Sequence, residues 1–270
     1  MAYRVKIENY PLQNKAEKID EAAEKGNRKI RNVLSKEQYN KFKNSVPKLK
    51  KPYNKKQSHS QIVRHAMTKG SIDKKDPDMY VMGGPAGAGK GYLKKKLIKE
   101  KYVNVDPDEY KETIATHYKP PLPKYPLSHA AHYHNESKVI SKKVVNRAIK
   151  EKRNIVYDKT MKTLKDTKKV ISKAKRAGYD IHMISTQKQP VSVAEGSVHR
   201  FLEIESAKGR YVPADVAGAN ANKINRNTWK ARKSKIIDQY RIYDSTNHKY
   251  VRKVEESKGF DLNKNFRDPK

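Results

Sequence analysis

The chain has 270 residues, long enough for one domain of about 200 residues and a smaller appendage. Cysteine is absent, which excludes disulfide bonds and thiolate metal sites and is typical of a reducing compartment such as the cytoplasm. No apolar run approaches the ~18 residues of a membrane-spanning helix. The 62 Lys and Arg residues outnumber the 29 Asp and Glu residues, and the net charge of +33 attracts polyanions such as nucleotides or nucleic acid.

Residues 1–76 are predicted to form a basic, largely helical N-terminal extension that ends in a linker. Apolar residues recur at threes and fours between positions 15 and 51, which is the spacing of helices, and Gly26 divides this stretch in two. A lysine-rich segment broken by Pro52 follows. Such a segment either binds a polyanion such as nucleic acid or forms a solvated charged surface, and the sequence leaves both roles open.

Between residues 77 and 246, short apolar runs alternate with segments of helical periodicity. Runs with the length and composition of strands lie at 79–82, 102–105, 154–157, 180–185 and 240–243. Helical segments separate them at 91–101, 134–152 and 163–177. Because strands that alternate with helices form parallel sheets covered on both faces, we predict an α/β domain over 77–246. Residues 247–270 are predicted to be a basic, partly ordered C-terminal tail.

A glycine-rich segment directly follows the first predicted strand and precedes a predicted helix. It matches the pattern G-x-x-x-x-G-K of a phosphate-binding loop (P-loop) from Gly84 to Lys90. Small residues let backbone N–H groups converge on phosphate oxygens, and the helix start adds its positive end. The Lys90 side chain would reach the β- and γ-phosphates. We therefore predict that a nucleoside triphosphate binds to Gly84, Ala86, Gly87, Ala88, Gly89, Lys90 and Gly91.

The residue after the lysine departs from this pattern. Ser or Thr is usual there because its hydroxyl binds Mg²⁺, but this chain has Gly91 followed by Tyr92. Mg²⁺ keeps several waters and can also be held through carboxylates and phosphates. The sequence therefore predicts ATP, or another nucleoside triphosphate, and Mg²⁺ as cofactors, with a weakened or non-catalytic site as the alternative.

Two carboxylates follow the second predicted strand, in the segment Val105-Asp106-Pro107-Asp108. In an open parallel sheet, ligands lie beyond the carboxyl ends of the strands, so these side chains are expected to face the γ-phosphate. Asp106 and Asp108 are candidates to deprotonate an acceptor hydroxyl and, for Asp106, to hold Mg²⁺ through water. The alternative is an Asp-Pro-Asp turn that caps the next helix, and the two roles are compatible.

An ordered series of motifs resembles the zeta-toxin family of P-loop kinases, from about residue 79 to residue 244. After the phosphate loop and Asp106-Pro107-Asp108, the series comprises His134-Asn135-Glu136-Ser137, Asp158-Lys159-Thr160, Ala177-Gly178-Tyr179, His199-Arg200, Gly209-Arg210-Tyr211 and Tyr240-Arg241-Ile242-Tyr243-Asp244. No motif beyond the phosphate loop is specific to the family by itself, but the order of the motifs along the chain is specific to it. The family is known for ATP-dependent phosphorylation of UDP-N-acetylglucosamine, and its relatives occur widely, including in phages.

This resemblance implies roles for residues outside the phosphate loop. Asp108 matches the carboxylate that activates the substrate hydroxyl, and the substrate side would be lined by Asp158, Thr160 and Glu136. Arg200 and Arg210 match lid arginines that clamp the triphosphate, a role suited to the fixed fork of guanidinium donors. The stretch 139–150 lacks the acidic substrate-contacting residue of the toxins, which weighs against a UDP-sugar acceptor more than against kinase chemistry.

The sequence therefore predicts a kinase that transfers the γ-phosphoryl group of ATP to a hydroxyl, with catalysis by Asp108, Lys90, Arg200 and Arg210. The acceptor and any protein partner are not specified, and a sugar nucleotide is one candidate acceptor. The expected location is the cytoplasm, or a host cytoplasm or virion for a phage protein. The alternative, suggested by Gly91 and the charge of +33, is a nucleic-acid-binding or virion-associated protein with weak or lost turnover. A polynucleotide kinase would combine both functions.

Overall fold

A computed structural model describes residues 55–98, 101–117, 133–202, 212–246 and 252–257, together with 17–18 and 35–36. Helices of this part are α1 (Lys55–Met67), α2 (Lys90–Leu97), α3 (Pro107–His117), α4 (His134–Lys150), α5 (Leu164–Arg176), α6 (Pro190–Leu202) and α7 (Ala214–Arg232). Its strands are β1 (Asp78–Gly83), β2 (Val103–Val105), β3 (Ile155–Asp158), β4 (Asp180–Gln187), β5 (Gln239–Asp244) and β6 (Arg252–Glu256). Within these described ranges, no helix combines the length and apolarity needed to cross a membrane.

The six strands form one sheet in the order β2-β3-β1-β4-β5-β6. The first five strands in this order are parallel, and β6 pairs antiparallel with β5 at the edge. The inner strands are continuous apolar runs because helices cover both faces of a parallel sheet. The predicted α/β fold with a parallel sheet is confirmed. The strand β6 was not predicted, since its sequence Arg-Lys-Val-Glu-Glu has the charged composition of an exposed edge.

Alternate residues of β1 enter the cores on the two faces of the sheet. Met79 and Val81 belong to a large cluster with apolar residues of α4 and α5, whereas Tyr80 and Met82 belong to a smaller cluster with Leu93 of α2. This two-residue alternation is the period of a strand. It leaves the carboxyl end of β1, where the phosphate loop begins, supported from both sides.

Helix α1 packs into the larger core although it lies within the predicted N-terminal extension. Ile62, Val63, Ala66 and Met67 are buried in the same cluster as Met79 of β1. The predicted boundaries at 77 and 246 remain predictions, but α1 and β6 both contact the sheet domain. The rest of the extension and of the tail lies outside the described residues, apart from positions 17–18 and 35–36.

Candidate active site

The phosphate loop joins the central strand β1 to helix α2 through a tight turn. Gly84 has a φ of 132°, and a β-carbon there would overlap Thr186 of β4, so glycine is required by both the backbone and its neighbour. Gly89, with a φ of 79°, turns the chain into α2, which begins at Lys90. The chain therefore passes from strand to loop to helix in the order that a phosphate-binding loop requires.

The Lys90 side chain lies against the start of its own loop. Its Nζ atom donates hydrogen bonds to the carbonyl oxygens of Gly84, at 3.0 Å, and Pro85, at 2.8 Å. The ammonium therefore lies next to the loop whose amides, together with the positive end of α2, would bind phosphate.

A second lysine contacts the phosphate loop from β4. Lys188 directly follows this strand, is only 3% exposed, and donates from Nζ to the carbonyl oxygen of Gly87 at 3.1 Å. Burial lowers the pKa of Lys188, and the charge of Glu195 opposes that effect. Lys188 was not among the residues predicted from the sequence, although its position shortly after the predicted strand 180–185 was a usable signal.

Asp106 caps helix α3. Its Oδ1 atom accepts a hydrogen bond from the backbone N–H of Asp108 at 2.8 Å, and Pro107 occupies the first helical position. Burial, then the charges of Asp158 and Asp108, raises the pKa of Asp106 to about 6, while Lys94 acts in the opposite direction. The capping turn suggested by the Asp-Pro-Asp sequence is therefore present.

Asp108 is more accessible than Asp106. Its side chain is 49% exposed, compared with 21% for Asp106, and it forms an ion pair with Lys111 at 2.8 Å. The charge of Asp108 also acts on His134, whose pKa is lowered chiefly by burial and by the nearby lysines. Asp108 thus lies at the start of α3 in a basic and partly open environment.

The end of β3 lies directly beside the end of β1. Asp158 is the register partner of Met82, and the backbone N–H of Lys159 donates to the carbonyl oxygen of Met82 at 3.1 Å. Burial lowers the pKa of Lys159 to about 8, although the nearby carboxylates, Asp106 first, raise it. Thr160 is exposed. Asp158 and Asp106 are therefore brought together at the edge of the sheet that carries the phosphate loop.

Glu136 contacts helix α1, a contact that the sequence did not predict. Its Oε1 atom lies 2.5 Å from Nε2 of His59, and the two side chains are only 14% and 4% exposed. Burial raises the pKa of Glu136. The predicted substrate residue Glu136 is thus joined to the helix that precedes the phosphate-loop strand.

The structure does not describe the contacts of the two predicted lid arginines. Arg200 lies in α6, but its side chain is outside the described part of the structure, and Arg210 falls in the segment 203–211, which is also outside it. Their clamping role remains a prediction.

The residues at this edge do not fit a Mg²⁺ site of the usual P-loop kind. Gly91 offers no hydroxyl, and the carboxylates of Asp106 and Asp158 both face the ammonium of Lys94, at 3.9 and 3.4 Å. Within the described residues, no group of three or more His, Cys, Asp or Glu side chains is placed to hold a metal ion. The predicted water-mediated metal contact of Asp106 therefore has no support from the surrounding side chains.

The fold and the loop define the chain as a P-loop α/β protein with carboxylates at the carboxyl edge of its parallel sheet. The family model described as "Zeta toxin" matches residues 63–256, and the chain belongs to this family, as its motifs predicted. Members of the family are kinases, so the protein is kinase-like. No protein of curated function matches the sequence significantly.

Solved structures of other proteins have a similar fold. One comes from the PezAT chromosomal toxin–antitoxin system of Streptococcus pneumoniae, with 17% identity, a TM-score of 0.53, and coverage of 77% of this chain and 82% of that chain. Another is the AvrRxo1-ORF1:AvrRxo1-ORF2 complex with ATP, with 15% identity, a TM-score of 0.56, and coverage of 74% of this chain and 66% of that chain. At these identities, the similarity establishes the fold.

Proposed function

We propose that this protein is an ATP-dependent phosphotransferase that transfers the γ-phosphoryl group to a hydroxyl of an acceptor. The observation that carries the proposal is the arrangement of the phosphate loop beside carboxylates of two neighbouring strands. Asp158 lies opposite Met82, two residues before the loop begins, and Asp106 and Asp158 lie 3.9 and 3.4 Å from the same Lys94 ammonium. The similarity to a structure containing ATP supports ATP as the donor.

The proposed roles follow from burial and contacts. The loop amides and Lys90 would bind the triphosphate, and Lys188 would keep the loop in shape through Gly87. Asp108, rather than Asp106, would act as the base because Asp106 is largely buried and caps α3. Arg200 and Arg210 would complete the clamp. Catalysis in such sites is mostly positioning and electrostatic stabilisation.

In the reaction, Asp108 would accept the proton of the acceptor hydroxyl while the hydroxyl oxygen forms a bond to the γ-phosphorus. The bond between that phosphorus and the bridging oxygen of the β-phosphate then breaks, and ADP leaves. Magnesium is a component of the incoming nucleotide in this proposal, since the surrounding side chains do not form a metal site. The acceptor would lie near Asp158, Thr160 and Glu136, and a sugar nucleotide is the first class to test.

The experiment uses γ-labelled ATP with a panel of sugar nucleotides, nucleosides and DNA with 5′-hydroxyl ends. Label transfer by the wild type should fall roughly 10²–10⁴-fold in Asp108→Asn, the size of a typical general-base contribution. Lys90→Ala should lose nucleotide binding as well. Lys95→Ala is the matched control because Lys95 is an exposed lysine of the same helix. Transfer that survives in Lys90→Ala and Asp108→Asn would contradict the proposal.

Nucleic-acid binding is the second candidate function, favoured by a basic face on helix α5. Lys165, Lys168, Lys169 and Arg176 line one shallow surface depression of this helix. Clustered cations of this kind bind phosphate backbones by counterion release. The test is DNA affinity across a salt series. A steep salt dependence that persists in Lys90→Ala, without phosphoryl transfer by the wild type, would favour this second function.

A further inference from the structure

Helix α2 carries a lysine whose environment differs from that of its neighbours. Lys94 lies one helical turn after Lys90, so both side chains project from the same side of the helix. The Lys94 side chain is 25% exposed, whereas Lys95 and Lys96 are exposed residues. In a chain with 62 basic residues, this partial burial distinguishes Lys94 from a solvated surface lysine.

The Lys94 ammonium lies among three oxygen-bearing side chains from two strand ends. Its Nζ atom is 3.3 Å from Oδ1 of Asn104, 3.4 Å from Oδ2 of Asp158 and 3.9 Å from Oδ2 of Asp106. Asn104 is itself fixed, since its amide donates to Glu109. The ammonium therefore has a defined position between the carboxylates of β3 and of the segment that follows β2.

This position has a consequence for the metal ion. P-loop kinases commonly hold hydrated Mg²⁺ between a loop hydroxyl and a carboxylate at a strand end. Here Gly91 provides no hydroxyl, and the two carboxylates that remain both lie within 4 Å of the Lys94 ammonium. A divalent cation beside Asp106 and Asp158 would be repelled by Lys94 at short range in a partly buried site.

We propose that Lys94 is a built-in cation that takes the place of a protein-held Mg²⁺ beside Asp106 and Asp158. The nucleotide-free protein then has no divalent-cation site beside Asp106 and Asp158, and the metal reaches this part of the described structure only on the phosphates of the nucleotide. Lys94 is a positioning residue, because it acts through the carboxylates. The meaning of this arrangement for catalysis rests on the proposed kinase function, but metal binding is measurable without it.

The experiment measures Mn²⁺ binding to the nucleotide-free full-length protein by electron paramagnetic resonance. Wild type, Lys94→Arg and Lys95→Met should all bind Mn²⁺ weakly, because all three keep a cation at position 94. Lys94→Met should bind Mn²⁺ at least about tenfold more tightly, the scale on which groups around a metal site change its affinity. Adding Asp158→Asn to Lys94→Met should abolish the gain.

The proposal is overturned if wild type binds Mn²⁺ as tightly as Lys94→Met, or if Lys94→Met gains nothing over Lys95→Met. Circular dichroism and thermal melting establish that the variants are folded, and Lys94→Gln replaces Lys94→Met if the latter is not. Wild type and Lys94→Arg test the absence of a site in either case. Absence of phosphoryl transfer together with the predicted Mn²⁺ pattern would reject the kinase function while leaving the role of Lys94 intact.

Discussion

Lys90, Lys94 and Lys188 reach the candidate site from α2 and from the end of β4. Each is held by oxygen atoms: Lys90 and Lys188 by carbonyls of the phosphate loop, and Lys94 by carboxylates and an amide. Charged hydrogen bonds are stronger where solvent is partly excluded. The residues that shape this site are therefore lysines with specific acceptors, which net charge alone does not reveal.

Replacing Gly91 by Ser should restore part of the missing metal contact. A β-carbon at Gly91 meets nothing within 4 Å, so the side chain fits without moving its neighbours. We expect Gly91→Ser to increase Mg²⁺-dependent turnover by several-fold, on the order of the ~10-fold effects of groups around a metal. Steady-state kinetics across a Mg²⁺ series measures this change.

Gly91→Ala is the matched control for this experiment. Both substitutions replace a helical glycine and should stabilise the protein by roughly 0.5–1 kcal/mol, seen as a higher melting temperature. Only the serine adds a hydroxyl. An equal change in turnover for Ala and Ser would show that helix stability, and not metal binding, is responsible.

The stability of the protein should depend on pH through Asp106. Its pKa is about 6, above the ordinary value of 3.8, so between these values the native state binds more protons than the unfolded state. The contribution of the protonated form is complete below the lower value and is lost as pH rises through the upper one. Asp106→Asn keeps the helix cap and removes this titration.

We therefore expect Asp106→Asn to be more stable than wild type by ~1–3 kcal/mol near neutral pH, since each pKa unit corresponds to ~1.4 kcal/mol. Near pH ~4 the two proteins should have similar stability. Urea denaturation at the two pH values gives the comparison. A variant that is less stable than wild type at neutral pH would show that ionised Asp106 is stabilising.

At the scale of secondary structure, the sequence predicted the five parallel strands but neither of the flanking elements α1 and β6. The inner strands are predictable because burial on both faces leaves continuous apolar runs. The strand β6 has a charged sequence, and it forms because β5 offers it an open edge. Helix α1 was not predicted because its burial depends on contacts with α4, α3 and β2, which the local sequence does not show.

The same distinction applies to the candidate site. The phosphate loop was predictable because its spacing, from Gly84 to Lys90, is local in sequence. Lys94, Lys188 and His59 were missed because their partners lie far along the chain, as in the pair of His59 with Glu136. Local patterns specify a loop, whereas tertiary packing selects which of many basic side chains contact it.

Helix α1 should contribute to the stability of the whole kinase-like domain. Ile62 is 5% exposed and belongs to the core cluster that includes Met79. We expect Ile62→Ala to lower the free energy of unfolding by about 2–4 kcal/mol, as for other large-to-small core substitutions. Arg64→Ala, at an exposed position of the same helix, should change it by less than about 0.5 kcal/mol. Equal effects of the two substitutions would show that α1 is not part of the domain core.

At the scale of the whole molecule, the charge of +33 creates a field that attracts anions and opposes compaction. Added salt should therefore raise the melting temperature from its value at low ionic strength, because counterions screen the repulsion between basic residues. This effect is non-specific, since it depends on ionic strength and not on which anion is present. An anion that binds the phosphate loop should stabilise the protein beyond this common level.

Sulfate provides the test because it resembles a phosphoryl group in shape and charge. At equal ionic strength, sulfate should raise the melting temperature of wild type more than chloride does, partly through general exclusion from protein surfaces and partly through the phosphate loop. Lys90→Met should lose the second part, a decrease of roughly 2–4 °C for each kcal/mol of lost binding, whereas Lys95→Met should keep it. An identical sulfate increment in all three proteins, measured by differential scanning fluorimetry, would mean that the loop does not bind tetrahedral anions.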